Sequence, residues 1–344
     1  MLSANLRGSF EKLIETLTLR SVISGVAFSV ALAFAPVGAG AQTPGDAIGD
    51  LIKDVVVPKA KPQGLSTRNV AAKRLFGAKK EAARLRPNAY GSYTRGCLAG
   101  AEQLEATGPA WQAMRLSRNR HWGHPKLVAL VRRLAVEAKQ HDGWNGLLVG
   151  DLSQPRGGPM TSGHRSHQIG LDADIWLNPM PNRELTYNER EKISAKSMVL
   201  DRKRLNRKRW TEAHARILYR AANYFEVERI FVHPPIKKEM CEWATRKGFK
   251  DRRWLGKIRA YYGHHYHFHI RIRCPQGAVG CKDQKLAPRK DDCEDNLAYW
   301  MGTKPWVKPK KTKQPKKKPK KVYKPFVVQM KHLPKACQTV LHAK

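Results

Sequence analysis

The sequence is poor in acidic side chains. Its 344 residues include 28 Asp and Glu against 65 Lys and Arg, which gives a formal net charge of +37 at neutral pH. This excess excludes an acidic disordered chain and an ordinary charge-balanced cytosolic enzyme. A charge of this size predicts a polyanionic neighbour, either a nucleic acid or an anionic envelope surface, and leaves the fold open. Hydrophobic residues make up 41% of the chain, which is enough apolar mass for a core.

The N-terminal part lacks a hydrophobic run long enough to span a bilayer comfortably. The apolar run Val22 to Ala35 is shorter than the roughly 20 residues of a transmembrane helix. Basic residues precede it, and the small residues Ala39, Gly40 and Ala41 follow it, which is the pattern of a signal peptide and its cleavage site. We therefore predict that residues 1–41 are a signal peptide of an exported protein, with an uncleaved signal anchor as the alternative.

Cysteine is scarce, and no C-x-x-C pair occurs among the six cysteines, which disfavours a zinc cluster held by cysteines. All of them follow residue 41, and an even number in an exported chain predicts disulfide bonds. Cys274 and Cys281 are close enough in sequence to close a short loop. The remaining pairings stay open, because six cysteines allow about 15 connectivities.

Changes in composition divide the rest of the chain into four segments. Residues 42–89 are predicted to be a basic linker with a short helix around Val70 to Leu85, and residues 90–303 to be the principal folded domain. Residues 304–325 contain 11 lysines interspersed with prolines, which predicts a disordered, solvated segment. Residues 326–344 regain apolar character and contain Cys337, which predicts a return to the folded domain through a disulfide. No internal repeat is visible.

Apolar periodicity predicts the main elements of the folded domain. Helical spacing indicates helices over His124–Gln140 and Thr211–Phe225, the second with Thr211 as its cap. Short apolar runs indicate strands at Leu147–Gly150 and Arg229–Val232, and a Gly and Pro rich loop lies over Ser153–Gly163.

A first candidate site segment is Ser162–Trp176. After Leu171, apolar and polar residues alternate with the period of a strand, so Asp172 and Asp174 project from one face. A carboxylate in a buried strand is costly unless it is paired or bound to metal. Because His164 and His167 lie in the preceding loop, we interpret these residues as part of a cation site.

A second candidate segment is Tyr262–Arg273, in which His267 and His269 share a strand face with Arg271 and Arg273. If the two strands pair, two imidazoles and a carboxylate converge as in a catalytic zinc site with one position open to water. These ligands suit zinc better than calcium or magnesium. The alternatives are an H-x-H pattern that merely lines a polar sheet face, and Asp172 as the partner that orients a ligand histidine.

Five stretches resemble, in the same order, the penicillin-insensitive murein endopeptidases. They are Met114–Arg120, Trp122–Pro125, Arg156–Trp176, Arg229–Pro234 and His267–Pro275. The resemblance covers about Gly91 to Trp300 and implies the α+β fold of the lysostaphin, D-alanyl-D-alanine metallopeptidase and hedgehog superfamily, a small antiparallel sheet flanked by helices.

The resemblance implies that His167, Asp174 and His269 hold zinc, with His164 as a further ligand. It also makes His267 and His264 candidates for the catalytic base and the transition-state stabiliser. Some members have a second zinc site built from an Asp and a His. Asp201 matches that Asp, but Arg204 occupies the place of the His, so we do not expect the second site. The implied disulfides are Cys97–Cys337, Cys241–Cys293 and Cys274–Cys281.

The activity that the resemblance implies is hydrolysis of the D-alanyl to meso-diaminopimelyl cross-link of peptidoglycan in the periplasm, without an acyl-enzyme and therefore insensitive to penicillin. Arg156, Arg271 and Arg273 are candidates for holding substrate carboxylates. A carboxypeptidase that trims terminal D-alanine is the near alternative. Another is a nonenzymatic protein whose basic tail binds an anionic envelope surface, while the signal peptide argues against a nucleic-acid partner.

Overall fold

The computed structural model describes residues 70–286, 290–307 and 327–344. Its helices are α1 (Ala72–Gly77), α2 (Pro125–Glu137), α3 (Tyr187–Lys192), α4 (Glu212–Asn223), α5 (Pro234–Arg246), α6 (Asp295–Met301) and α7 (Ala336–His342). Its strands are β1 (Asn88–Ser92), β2 (Arg95–Ala99), β3 (Glu102–Gln103), β4 (Thr107–Gly108), β5 (Trp111–Ala113), β6 (Trp122–Gly123), β7 (Leu147–Val149), β8 (Asp172–Pro179), β9 (Val227–Val232), β10 (Ile258–Ala260) and β11 (His267–Ile272). The predicted α+β class is confirmed.

The central sheet has the strand order β10-β9-β11-β8-β7-β5-β4. Strand β11 pairs antiparallel with both β8 and β9, so the two strands that carry the candidate site are neighbours. The sheet as a whole is mixed, because β9 pairs parallel with β10 and β5 pairs parallel with β7. Parallel neighbours need a long crossover, and the segments containing α5 and α2 provide it. The central sheet is therefore mixed, and not the small antiparallel sheet that the resemblance implies.

The two faces of β8 and β11 have different roles. Ala173, Ile175, Phe268 and Ile270 are completely buried in the main hydrophobic core, together with the apolar faces of α2 and α4. Burial of a side chain such as Ile or Phe stabilises a fold by roughly 1.5–3 kcal/mol. The residues that alternate with them along both strands point to the opposite face of the sheet. Because the apolar residues are fixed in the core, the register of the two strands, and with it the position of these polar side chains, is fixed as well.

The predicted helices differ from the observed ones mainly at their ends. Helix α2 begins after His124, whose Nδ1 accepts a hydrogen bond from the Lys126 amide at 3.2 Å, and a π turn follows its last residue. Helix α4 follows Thr211 as predicted, but it ends at Asn223, and Phe225 is 77% exposed rather than packed in the core. Near the start of the described chain, only Ala72–Gly77 of the predicted helix is helical.

Three disulfides join Cys97 to Cys337, Cys241 to Cys293 and Cys274 to Cys281, which are the pairings that the resemblance implies. The first one attaches α7 to β2, so the C-terminal segment packs on the folded domain. Among the described residues, we find no helix with both the length and the apolar character to cross a membrane. The predicted signal peptide, the linker up to residue 69 and most of the lysine-rich segment lie outside the described residues.

Candidate metal centre

The pairing of β8 with β11 brings the two predicted site segments together. Asp174 lies opposite His269, and Trp176 lies opposite His267. Because directly opposite residues in an antiparallel pair share a face, the polar alternate positions of both strands form one surface. The predicted convergence of these segments is therefore present in the structure.

Three donor atoms converge on this surface. The Oδ1 atom of Asp174 lies 3.1 Å from Nδ1 of His269 and 3.4 Å from Nε2 of His167. Two ligand atoms bound to a tetrahedral zinc at about 2.0–2.1 Å lie roughly 3.3 Å from each other. Both distances from Asp174 are close to the separation expected between two ligands of one zinc ion.

The buried hydrogen-bonding groups are consistent with a cation. The Nε2 atom of His167 and Oδ1 of Asp174 are buried and, among the described residues, have no hydrogen-bond partner. A buried polar atom without a partner costs about 1–3 kcal/mol. A cation placed between these atoms would satisfy both of them, and so the residues present fit a zinc ion.

The outer nitrogens of the two imidazoles fix which nitrogen faces the centre. His167 uses Nδ1 to donate to the carbonyl of Leu152, and His269 uses Nε2 to donate to Oδ1 of Asp172 at 2.9 Å. With these protons placed outward, the lone pairs of His167 Nε2 and His269 Nδ1 point toward Asp174. Burial would lower the pKa of His269, but the Asp172 and Asp174 carboxylates raise it, so either a proton on Nδ1 or a cation can bridge His269 and Asp174.

Asp172 forms hydrogen bonds to two of the candidate donor residues, His269 and His167. Its Oδ1 accepts from Nε of Arg271 at 2.7 Å, and its Oδ2 accepts from the backbone amide of His167 at 2.9 Å. Burial alone would raise the pKa of Asp172, but the Arg271 guanidinium and the His269 imidazole hold that pKa well below its usual value. His167 has a left-handed backbone conformation, with φ of 66°, which is unfavourable for a residue with a side chain. The hydrogen bond from its backbone amide to Asp172 helps to hold it in this conformation.

His164 lies at the open side of the centre. One donor atom from each of His164, His167 and Asp174 lies within 4.8 Å of the other two. The Nδ1 atom of His164 is 3.6 Å from Oδ2 of Asp174, while its Nε2 is 3.0 Å from Oδ2 of Asp151. His164 is thus placed as a fourth donor, oriented from behind by Asp151.

Asp151 is a site residue that sequence reasoning missed. It follows the buried strand β7 and is itself 5% exposed, with Arg118 and Arg120 paired to its Oδ2 at 3.2 and 3.0 Å. Burial opposes its ionisation, but His164, Arg118 and Arg120 together lower the pKa of Asp151 to about 2. A carboxylate close after a short apolar strand was the available signal, whereas Asp174 was found by the alternation within its own strand.

His267 and His264 stand beside the donor cluster. Nε2 of His267 is 3.6 Å from Oδ1 of Asp174, and the His264 ring lies 5.0 Å from the His267 ring. Nδ1 of His264 is 2.9 Å from the carbonyl oxygen of Tyr262. Burial lowers the pKa of His267 to about 4, although the nearby Asp174 carboxylate acts to raise it. Burial and the neighbouring His269 and His267 lower the pKa of His264 to about 3, so both rings are neutral at pH 7.

The arginines predicted to hold substrate are placed otherwise. Arg156 is 6% exposed, and its Nη1 donates to the carbonyls of Val340 and Leu341 at 3.0 and 2.9 Å, so it fastens α7. Arg271 is equally buried and is paired with Asp172. Arg273 lies 3.4 Å from Glu228. The contacts of Arg156 and Arg271 give them structural and positioning roles rather than the substrate contact that we predicted.

Asp201 belongs to a different part of the surface. Its carboxylate pairs with Nε of Arg204 at 2.6 Å and accepts from the backbone amides of Lys203 and Arg204. Arg204 therefore supplies a positive charge that neutralises Asp201.

A cleft of about 250 Å³ opens beside the donor cluster. It is lined by Asp174, His164 and His267 from the centre and by Arg115, Arg118, Gly150, Asp151, Trp176, Ser194, Ala195 and Tyr266 around them. The candidate metal centre is thus accessible from solvent on one side and closed by the sheet on the other.

Sequence comparisons with known proteins identify the family of the chain. A family model described as penicillin-insensitive murein endopeptidase matches residues 89–342. The chain belongs to this family. A relative from Haemophilus influenzae with that name is 41% identical over 215 residues, which is 61% of this chain and 72% of the relative. Those from Klebsiella pneumoniae and Yersinia enterocolitica are 36% identical, and they cover 73% and 74% of this chain and 85% and 86% of their own length.

Membership of the family confirms the resemblance predicted from the motifs around His167, Asp174 and His269. It supports the prediction that the protein is an enzyme of the peptidase class. The matched range includes the whole donor cluster, the three disulfides and α7.

Proposed function

We propose that the protein is an exported zinc endopeptidase that hydrolyses the D-alanyl to meso-diaminopimelyl amide of cross-linked peptidoglycan. The observation that carries this proposal is the convergence of His167 Nε2, His269 Nδ1 and Asp174 Oδ1, with two of these atoms buried and unpaired among the described residues. The names of the relatives, murein endopeptidases, supply the substrate class.

The proposed ligands are His167, Asp174 and His269, with His164 beside them. A bound zinc ion supplies Lewis acidity, which lowers the pKa of water and polarises a carbonyl oxygen. Asp172, the Leu152 carbonyl and Asp151 hold the three imidazoles in the required orientation. This outer layer keeps the donors in place before substrate arrives, which reduces the reorganisation needed during the reaction.

His267 and His264 are the proposed proton-transfer groups. Both rings are neutral at pH 7, so each has a lone pair with which to accept a proton from an attacking water. The same group then delivers that proton to the leaving amine, or donates to the oxygen that becomes negative in the transition state. Because water attacks the amide directly, no serine acyl-enzyme forms, and penicillin, which traps a serine nucleophile, is not expected to inhibit.

The proposed location is the periplasm. The pattern of residues 1–41 supports export. The three disulfides support it as well, since disulfides persist in oxidising compartments and are rare in the cytosol. A net charge of +37 also suits an anionic envelope.

Digestion of purified peptidoglycan tests the proposal. We expect cross-linked dimers to disappear, a chelator to stop the reaction and added zinc to restore it. His269→Ala should abolish cleavage, and His342→Ala, an exposed position in α7, should serve as the matched control. Dimer loss that ignores the chelator would contradict the mechanism. Release of terminal D-alanine from monomers, with dimers left intact, would instead identify a carboxypeptidase.

The lysine-rich segment favours a second, nonenzymatic activity, which is binding to anionic envelope polymers. Eleven lysines lie between Lys304 and Lys324. Deletion of residues 308–324 should weaken binding to intact envelope polymers at low salt and leave cleavage of soluble dimers unchanged. If the deletion abolished cleavage of soluble dimers, the separation of the two activities would be wrong.

A further inference from the structure

Two arginines, Arg115 and Arg118, line the cleft beside the donor cluster. They differ in how many of their guanidinium donors already form hydrogen bonds within the protein. Arg115 donates through Nη1 and Nη2 to the carbonyls of Arg190 and Ile193 at 3.3 and 2.8 Å, and it lies over the Trp176 ring. Arg118 has a side chain that is 48% exposed, and its Nη1 is 3.2 Å from Oδ2 of Asp151. Among the described residues, the Nε and Nη2 atoms of Arg118 donate to no protein acceptor.

The backbone that carries Arg118 is held firmly. It ends a 3-10 turn, Leu116–Arg118, between two residues with positive φ. In that turn the amide and hydroxyl of Ser117 donate to Glu191 at 2.9 and 2.8 Å. The next residue, Asn119, accepts from Nε1 of Trp122 at 2.7 Å. A side chain on a fixed backbone loses less conformational entropy when it binds a ligand.

Guanidinium groups are concentrated at one end of the cleft. Arg115, Arg118 and Arg120 contribute three guanidinium groups around this end of the cleft. The carboxylates that they and their turn contact are those of Asp151 and Glu191. The Asp174 carboxylate also lines the cleft, so the three guanidinium groups balance three carboxylates. The half-exposed guanidinium of Arg118, which has free donors, is the group suited to a substrate carboxylate.

We infer that Arg118 binds the free carboxylate on the same carbon as the cross-linking amine, and so selects substrates in which that diaminopimelyl carboxylate is not amidated. The inference rests on the proposed function. Three covalent bonds of about 1.3–1.5 Å separate the scissile carbonyl carbon from that carboxyl carbon, so the two lie within roughly 4 Å. Arg118 lines the same cleft as Asp174, and a chain of contacts through Asp151 and His164 connects the two residues.

A pair of soluble dimers tests this inference. One dimer has the free carboxylate beside the scissile amide, and the other has it amidated. We expect kcat/KM of the wild-type protein to be roughly ten- to hundredfold higher for the free dimer, since a hydrogen bond to a charged group is lost on amidation. Arg118→Met should bring the ratio close to one, and Arg118→Lys should retain part of it. Equilibrium binding of both dimers to the metal-free protein should follow the same order.

The ratio separates recognition from a merely structural effect. Loss of the Arg118 contact to Asp151 can lower activity on both dimers alike, but only loss of carboxylate recognition changes their ratio. Arg253→Met is the matched control, because Arg253 is an exposed arginine paired with Asp251, and it should keep the wild-type ratio. A wild-type ratio near one, or an unchanged ratio in Arg118→Met, would overturn the inference. Failure of the zinc-loaded wild type to cut either dimer would overturn the proposed function itself. Should Arg118→Met fail to fold, Arg118→Lys carries the comparison.

Discussion

Asp172 accepts a hydrogen bond from Nε2 of His269 at 2.9 Å, and both side chains are buried. Asp172 therefore contacts the outer nitrogen of the proposed ligand His269, while Oδ1 of Asp174 lies 3.1 Å from Nδ1, the nitrogen that faces the candidate metal centre. Asp174 and Asp172, two residues apart on β8, thus have different roles: Asp174 is a proposed ligand, and Asp172 orients the proposed ligand His269.

Asp172→Asn is expected to weaken zinc binding by about ten- to hundredfold, because a neutral amide holds the proton and orientation of His269 less strongly. A competition titration with a chromophoric chelator measures the affinity. Asp251→Asn, at an exposed ion pair with Arg253, is the control. An unchanged zinc affinity in folded Asp172→Asn protein would show that this hydrogen bond does not support the metal centre.

Asp151→Asn is expected to lower kcat roughly tenfold on soluble dimers, because the carboxylate that orients His164 at 3.0 Å is lost. Arg118 itself remains, so the preference for the unamidated dimer should persist. Steady-state kinetics on both dimers measure the two effects together. If kcat stayed at the wild-type value, His164 would not need Asp151 for its placement.

Arg156→Met is expected to reduce the free energy of unfolding by about 1–3 kcal/mol and to leave KM unchanged. Its guanidinium satisfies the carbonyls of Val340 and Leu341, which would otherwise remain buried and unpaired. Thermal unfolding and dimer kinetics check the two parts, with Arg253→Met as the control. A raised KM at unchanged stability would restore the substrate-binding role that the sequence suggested.

Much of the site was predictable because it lies on two strands with clear alternation. A period of two residues places Asp172, Asp174, His267 and His269 on polar faces, and their mutual pairing follows once the strands are neighbours. The cores of α2 and α4 were predictable for the same reason, since an apolar stripe determines which side of a helix is buried.

The remaining features depend on contacts between residues far apart in the sequence. Asp151 pairs with Arg118 and Arg120, and Arg156 reaches α7, but no local pattern specifies which guanidinium meets which acceptor. The same applies to the parallel pairs of the sheet, which arise from crossovers. Phe225 is exposed because α4 ends two residues before it, at Asn223, so the helical period no longer applies there.

Lys237 gives the protein a pH dependence that can be separated from catalysis. Its side chain in α5 is fully buried, and Nζ donates to the carbonyls of Leu255 and Asp291 at 2.7 and 2.6 Å. Burial lowers the pKa of Lys237 to about 7, and the nearby Asp292 and Asp291 carboxylates only partly oppose this. In the unfolded chain a lysine titrates near pH 10.4, about its ordinary value.

Between about pH 7 and pH 10 the unfolded chain therefore binds more protons at this position than the folded protein does. The free energy of unfolding should rise with pH across that window, by on the order of a few kcal/mol from Lys237 alone. Lys237→Met should remove this contribution. The free energy of unfolding of the wild type minus that of the variant should therefore increase as the pH rises. Lys238→Met is the matched control, because the neighbouring Lys238 is 53% exposed and paired with Glu242. Denaturant unfolding with the disulfides intact measures the difference, and one that stays constant from pH 7 to pH 10 would show that Lys237 titrates normally despite its burial.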